Sequence, residues 1–177
     1  ANITQVGLNF SRPAAQILGQ YYQFIRLGFE GYKAVQENSM AVTQYLHDQI
    51  GKMAPFVNYS NEVVNPLFIW YLKPDYAKKA KWTLYDLQDK LKQSGWMVPA
   101  YTLPNNLENY VVMRIVARQG FSRDMADQLL NDITGAVTEL EKLEYPTPTR
   151  IAQDKNQEVK GSVFTHTGVP HLSLIHI

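Results

Sequence analysis

The chain has 177 residues, of which 45% are apolar and 19% charged, enough for one folded core or one small domain with an appendage. Its formal charge of +1 creates no field that would attract nucleic acid or an anionic membrane, so we expect neither nucleic-acid binding nor stable membrane insertion. It has no cysteine, which excludes disulfides and thiolate metal sites and makes the cytoplasm the default location.

Both ends of the sequence favour a piece of a longer chain. Residue 1 is Ala rather than Met, and neither a basic leader nor a hydrophobic segment follows it. At the other end, an apolar hexapeptide, LSLIHI, follows a hydrophilic stretch and resembles the translation of an adapter used in DNA library preparation. We therefore expect a fragment whose residues 169–177 are non-native read-through.

The first third of the chain predicts two helices joined at glycines. Ser11 can cap the first helix, and apolar residues recur at helical spacing over residues 32–50. Gly28 and Gly31 lie between the two helices and indicate a break or bend. We expect residues 13–55 to form long connecting helices rather than a self-contained unit.

Residues 56–145 predict a small α+β domain with the order β-β-α-β-β-α. Thr83 is placed to cap the first of its helices, with Asp86 at the capping-box position, and Gly95 can end that helix. Aromatic and β-branched runs predict strands, and apolar residues at helical spacing predict the helices. The expected elements are strands at 56–60 and 67–72, a helix from 83, strands at 96–103 and 110–117, and a helix at 122–143.

After residue 145 the apolar periodicity ends. Residues 150–161 are polar and mixed in charge, so they bury too little apolar surface to offset the entropy of ordering. We expect a mobile tail over residues 146–168. Apolar character returns at Val163 and Phe164, just before His166, as in a segment that docks under some condition.

Three polar side chains in apolar settings are candidate site residues, and each has a plainer interpretation. Ser11 is either a simple helix cap or part of an anion site at a helix start. Strand alternation puts Arg114 on the face of Tyr110 and Val112, where it is either solvated or binds a carboxylate or phosphate. His166 is either a solvated imidazole or a pH-dependent plug. No metal-ligand spacing and no glycine-rich phosphate loop occurs.

These segments, in this order, resemble the carboxy-terminal part of the bacterial glutamate decarboxylase family, which are fold-type I pyridoxal-phosphate enzymes. The resemblance covers roughly residues 6–167, with a divergent stretch at 56–81. The motifs that carry it are NFSRP at 9–13, QYY at 20–22, RLG at 26–28, EGY at 30–32, YDL at 85–87, GW at 95–96, VPA at 98–100, VVMRI at 111–115 and GF at 120–121.

The resemblance implies a fold and a set of site residues. Residues 1–12 would end the large cofactor-binding domain, and residues 56–145 would be the small carboxy-terminal domain, a short antiparallel sheet with flanking helices. Phe10 and Ser11 match a family segment that reaches the cofactor phosphate of the neighbouring subunit. Arg114 matches an arginine near the substrate carboxylate. His166 matches the penultimate histidine of a tail that blocks the active site at neutral pH, although here Gly168 and further residues follow.

The resemblance also implies an activity. The full-length enzyme would convert L-glutamate to 4-aminobutanoate and CO2 with pyridoxal 5'-phosphate, consume a proton and so serve acid resistance. It would be a homo-oligomer whose subunits share active sites. The family's Schiff-base lysine follows a histidine, and no lysine here does, so this chain alone is expected to be inactive. The alternative is a non-catalytic α+β oligomerisation or binding module derived from that domain.

Overall fold

The computed structural model describes residues 13–104, 106, 107 and 110–161, with side chains described as far as residue 155. Within these residues the chain forms five helices and four strands. In chain order they are α1 (Ala15–Lys52), β1 (Phe56–Asn58), β2 (Leu67–Leu72), α2 (Pro74–Lys79), α3 (Leu84–Gln93), β3 (Ala100–Thr102), β4 (Val111–Val116), α4 (Arg123–Glu141) and α5 (Pro148–Gly161). None of the described helices is long and apolar enough to cross a membrane.

The four strands form one antiparallel sheet in the order β1-β2-β4-β3. In its central pair Ile69 lies opposite Arg114, and on the edge strand Tyr101 lies opposite Val112. The second half of α1 packs on β1 and β2, α3 packs on β3 and β4, and α4 packs on α1 and α3. These three helices therefore cover one face of the sheet, here called the inner face, and the opposite face is called the outer face.

The core lies between the inner face and the three helices. Alternate residues of the two central strands point into it, as the sequence pattern predicts for half-buried strands. Helices α3 and α4 each contribute a stripe of apolar residues at helical spacing. The largest fully buried side chains of this core are Trp70, Trp82, Phe56, Leu46, Ile50, Leu84, Leu87, Leu91, Met113, Leu129 and Ile133. Val112 is also fully buried but lies on the outer face.

Helix α1 is continuous by hydrogen bonding but changes direction at Gly28. This residue has φ 56° and ψ −169°, a combination that side chains with a Cβ rarely adopt, so the sequence expectation of a break there is confirmed. Gly31, the second expected break point, is helical. Large apolar side chains before the kink stay exposed, in contrast to the buried stripe after it.

The predicted ends of α3 and α4 are confirmed by their hydrogen bonds. Thr83 and Asp86 form a capping box at the start of α3. At its end Gly95 has φ 88°, and the N–H of Trp96 donates to the carbonyl of Leu91, which is a Schellman motif. Ser122 caps α4 by accepting from the N–H of Met125 at 3.2 Å. Residues next to each helix end therefore determine where α3 begins and ends and where α4 begins.

The structure differs from the sequence expectations in two helices. The short helix α2 was not expected, and α5 is helical over residues in which the sequence shows no apolar periodicity. The expectation of a mobile tail over residues 146–168 stays a prediction. Tertiary contacts explain both. Tyr76 of α2 donates to Glu141 at 2.6 Å, and Thr147 and Thr149 at the start of α5 donate to Asp86.

Candidate functional site

The outer face of the sheet combines exposed apolar surface with one cation. Tyr110 is 47% exposed and Val116 44%, whereas Met113 and Ile115 on the inner side of the same strand are buried. Arg114 projects from the centre of this face and is exposed. The alternation predicted for β4 is therefore confirmed, and it separates Arg114 from the core. The outer-face residues are Val57, Leu67, Ile69, Tyr71, Tyr101, Tyr110, Val112, Arg114 and Val116.

Arg114 has an aromatic neighbour and no acidic one in the described part of the chain. Its guanidinium carbon lies over the ring of Tyr101, 5.7 Å from the ring centroid. The ion pairs among the described residues include none with Arg114. A guanidinium in this setting is able to bind a carboxylate, because an arginine that lies over a ring can still donate hydrogen bonds from its in-plane N–H groups.

Tyrosines extend the outer face away from Arg114. Tyr71 lies edge-on to Tyr110 with ring centroids 6.1 Å apart, and edge-on to Tyr59 at 6.4 Å. Edge-to-face rings at these distances stabilise one another. They form an aromatic surface on the same side of the sheet as Arg114.

A cleft of about 250 Å³ lies at the tyrosine end of the outer face. Its lining includes Tyr71 and Tyr110 together with Arg150 and Gln153 of α5. Arg150 is paired with Asp154 at 3.0 Å and donates to the carbonyl of Ala77 at 2.7 Å. The cleft therefore brings the start of α5 next to the same face that carries Arg114.

Asp86 joins the start of α3 to the start of α5. Its carboxylate accepts from the N–H of Thr83 at 2.7 Å and from the hydroxyls of Thr83, Thr147 and Thr149. Sequence analysis identified only the local cap between Thr83 and Asp86. The two distant threonines gave no sequence signal, because they meet Asp86 only after the chain folds.

A second polar cluster ties α1 to α4 on the inner side. The hydroxyl of Tyr45 donates to Asp127 at 2.5 Å, and Arg123 lies over the Tyr45 ring. The bond to Asp127 raises the pKa of the Tyr45 hydroxyl. Each group has a partner within the cluster, which indicates a structural role. Among the described residues no three His, Asp or Glu side chains are grouped to hold a metal ion.

Of the four predicted site residues, only Arg114 is among the residues that the structure describes. Arg114 lies on the outer face as described. Phe10, Ser11 and His166 lie outside the described residues, so their roles stay predictions. Tyr101 was not identified from the sequence. Its position two residues diagonally from Arg114 follows from the pairing of β3 with β4, which no local pattern specifies.

Comparison with known proteins gives a consistent result. Residues 1–73 match the model of the pyridoxal-dependent decarboxylase conserved domain. The chain is 42% identical over 133 residues to glutamate decarboxylase beta of Listeria innocua, covering 75% of this chain and 28% of that protein. It is 38% identical over 161 residues to the glutamate decarboxylase of Lactococcus lactis subsp. cremoris, covering 91% of this chain and 33% of that protein.

A solved structure shows the same fold. The glutamate decarboxylase of Lactobacillus brevis matches with a TM-score of 0.71 at 40% identity, over 77% of this chain and 31% of that one. A sphingosine-1-phosphate lyase of Burkholderia pseudomallei, at 15% identity and a TM-score of 0.59, shares the fold alone. The chain thus spans roughly a third of the length of these relatives.

Proposed function

The chain belongs to the pyridoxal-dependent decarboxylase family, and we propose on that premise that it forms the carboxy-terminal part of a glutamate decarboxylase. The reaction would convert L-glutamate to 4-aminobutanoate and CO2. The observation that carries the proposal is the position of Arg114, a cation without a described acidic partner on an apolar, aromatic face. A glutamate carboxylate would complete that pair.

The role assigned to Arg114 is to bind and orient a substrate carboxylate. Arginine suits it because its planar fork can donate two parallel hydrogen bonds and stays charged over the whole working pH range. The surrounding tyrosines and valines would exclude water, which strengthens the ion pair. Positioning of this kind lowers the entropic part of an activation barrier.

The cofactor would be held mainly by residues outside the described part of the chain. Pyridoxal phosphate, when bound, supplies the electron sink that lets an amino acid lose its carboxylate as CO2. The donor chemistry present fits a shared site of this type: the outer face offers a substrate anchor, and Ser11 is assigned to the phosphate of the neighbouring subunit's cofactor, beside Phe10. The lysine that binds the cofactor is not in this sequence, because no lysine here follows a histidine.

His166 is proposed to regulate this site as a pH plug. The support is that α5 precedes His166 in the sequence and that its first turns line the cleft with Tyr71 and Tyr110. A neutral imidazole would enter an apolar site at neutral pH. Protonation in acid would then disfavour its insertion, because burying an unpaired charge is costly. Activity would therefore rise in acid, where a reaction that consumes a proton is useful.

The cellular setting is proposed from the same resemblance. We assign the full-length protein to the cytoplasm, to acid resistance and to a homo-oligomer whose active sites are shared between subunits. The exposed apolar residues of α1 before Gly28 support an assembled state, since surfaces of this kind are normally covered. No nucleic-acid partner is proposed.

The test uses a full-length protein that contains this chain, purified with pyridoxal phosphate. Arg114→Met should raise the KM for glutamate by about 30-fold or more, as expected for loss of a charge-assisted pair. Arg118→Met, which removes an exposed arginine just beyond β4, is the control and should leave KM unchanged. A full-length protein without a cofactor absorbance band would instead support the non-catalytic α+β module.

The pH profile tests the plug separately. Activity of the full-length protein should fall toward neutral pH, and truncation before Gly161 should relieve that loss. Unchanged pH dependence after truncation would refute the role of His166 without touching the role of Arg114.

A further inference from the structure

The ring of Tyr101 lies beneath the Arg114 guanidinium. The guanidinium carbon lies over its ring at 5.7 Å from the centroid, within the range in which a cation is attracted to an aromatic face. Tyr101 itself is only half-exposed. The ring is therefore more enclosed by its neighbours than the exposed arginine above it.

Backbone pairing explains why the ring stays in place. Tyr101 is directly opposite Val112 in the β3–β4 pair, and Val112 is completely buried. Arg114 is two residues further along β4 and so is the diagonal neighbour of Tyr101 on the same face. The N–H of Arg114 also donates to the carbonyl of Pro99 at 3.1 Å, which ties the backbone of Arg114 to the segment leading into β3.

An exposed arginine on a sheet surface has several rotatable bonds and can turn into solvent. A ring beneath the guanidinium restricts this motion while leaving the N–H donors in the guanidinium plane available to a ligand. Preorganisation of this kind increases affinity because less conformational entropy is lost when the ligand binds. The effect acts on binding and leaves the chemical step to other groups.

We propose that Tyr101 is a positioning residue that holds Arg114 in the orientation that receives the substrate carboxylate. The inference rests on the proposed role of Arg114 and assigns to Tyr101 a share of the enzyme's preference for an acidic substrate. The ring face performs this role, and the phenol hydroxyl does not.

The experiment measures KM and kcat for glutamate, and the dissociation constant of glutarate, in the full-length holoenzyme. Glutarate has both carboxylates but no amino group, so its binding reports on the anion site independently of turnover. Tyr101→Leu should weaken glutarate binding and raise KM by about 3- to 30-fold, with kcat changed less than about twofold. Tyr101→Phe, which keeps the ring, should behave like the parent protein.

Two further variants separate positioning from packing. Pentafluorophenylalanine at position 101 keeps the ring shape but reverses its charge distribution, so it should weaken glutarate binding as Tyr101→Leu does. Tyr145→Leu removes an exposed tyrosine in the loop before α5 and should leave binding unchanged. If Tyr101→Leu does not fold, the fluorinated residue still decides the question.

A double-mutant cycle tests whether Tyr101 acts through Arg114. Once Arg114→Met is present, adding Tyr101→Leu should cause no further loss of glutarate binding, because there is no guanidinium left to position. Additive losses would overturn the inference. If Arg114→Met weakens binding and Tyr101→Leu does not, the inference fails and the proposed substrate site stands. If Arg114→Met leaves glutarate binding unchanged, both fail.

Discussion

Asp86 and Thr147 are 61 residues apart in the chain, and the Thr147 hydroxyl donates to the Asp86 carboxylate at 2.9 Å. The same carboxylate caps α3 and accepts a hydrogen bond from the hydroxyl of Thr149. The start of the carboxy-terminal helix is therefore fixed to the start of α3, beside the cleft on the outer face. One acidic side chain connects the small domain to the segment that precedes His166.

Asp86→Asn should destabilise the domain by about 1–3 kcal/mol, because an amide cannot accept all of the bonds that the carboxylate accepts. Urea unfolding of the chain measures this. Asp89→Asn changes an exposed residue on the same helix and should shift the free energy of unfolding by less than about 0.5 kcal/mol. Equal effects of the two substitutions would contradict the role assigned to Asp86.

Gly95→Ala should lower the free energy of unfolding by about 1–2 kcal/mol, because Gly95 has φ 88° and a Cβ is disfavoured in that conformation. No atom would contact the added Cβ, so the cost is conformational. Gly135→Ala, in an exposed part of α4, should instead stabilise by about 0.5–1 kcal/mol. Thermal unfolding compares the two, and destabilisation by both would show that added bulk is the cause.

Tyr76→Phe should reduce the loss of stability at alkaline pH. Burial, and then the hydrogen bond to Glu141, raise the pKa of the Tyr76 hydroxyl above its usual value. A raised pKa contributes stability that is fully present below about pH 10 and is lost as pH rises further. Unfolding free energies from pH 8 to 11 should therefore decline less steeply in the variant.

Glu141→Gln is the matched comparison for Tyr76, because it removes the carboxylate and leaves the burial unchanged. It should remove only part of the alkaline decline. A profile identical to that of the parent protein in both variants would show that the Tyr76–Glu141 pair does not contribute to the pH dependence of stability.

The isolated chain should self-associate through the exposed apolar residues of α1 between Ile17 and Phe29, on both sides of the kink at Gly28. Phe29 is 79% exposed and Ile25 67%, and the exposed apolar residues there are Ile17, Leu18, Tyr21, Tyr22, Phe24, Ile25 and Phe29. Sedimentation velocity over a concentration series measures the association. Replacing Phe24, Ile25 and Phe29 by serine should lower the sedimentation coefficient at high concentration, whereas a monomeric parent chain would contradict the prediction.

Much of the small domain could be predicted from the sequence because its signals are local. Capping residues determined the start of α3, glycine conformations determined the kink in α1 and the end of α3, and strand alternation placed Arg114 on the face opposite the core. Each of these depends on residues a few positions apart. Roles for Phe10, Ser11 and His166 came from the family resemblance instead and stay predictions.

Only the tertiary structure decided what surrounds Arg114 and where α5 begins. Tyr101 meets Arg114 because β3 pairs with β4 in one register, and a shift of one residue would have put Tyr101 on the other face. Thr147 and Thr149 order the start of a polar helix because Asp86 lies beside them after folding. The sequence alone determined which residues could cap, turn and be buried, whereas contacts between distant segments determined which polar groups became neighbours.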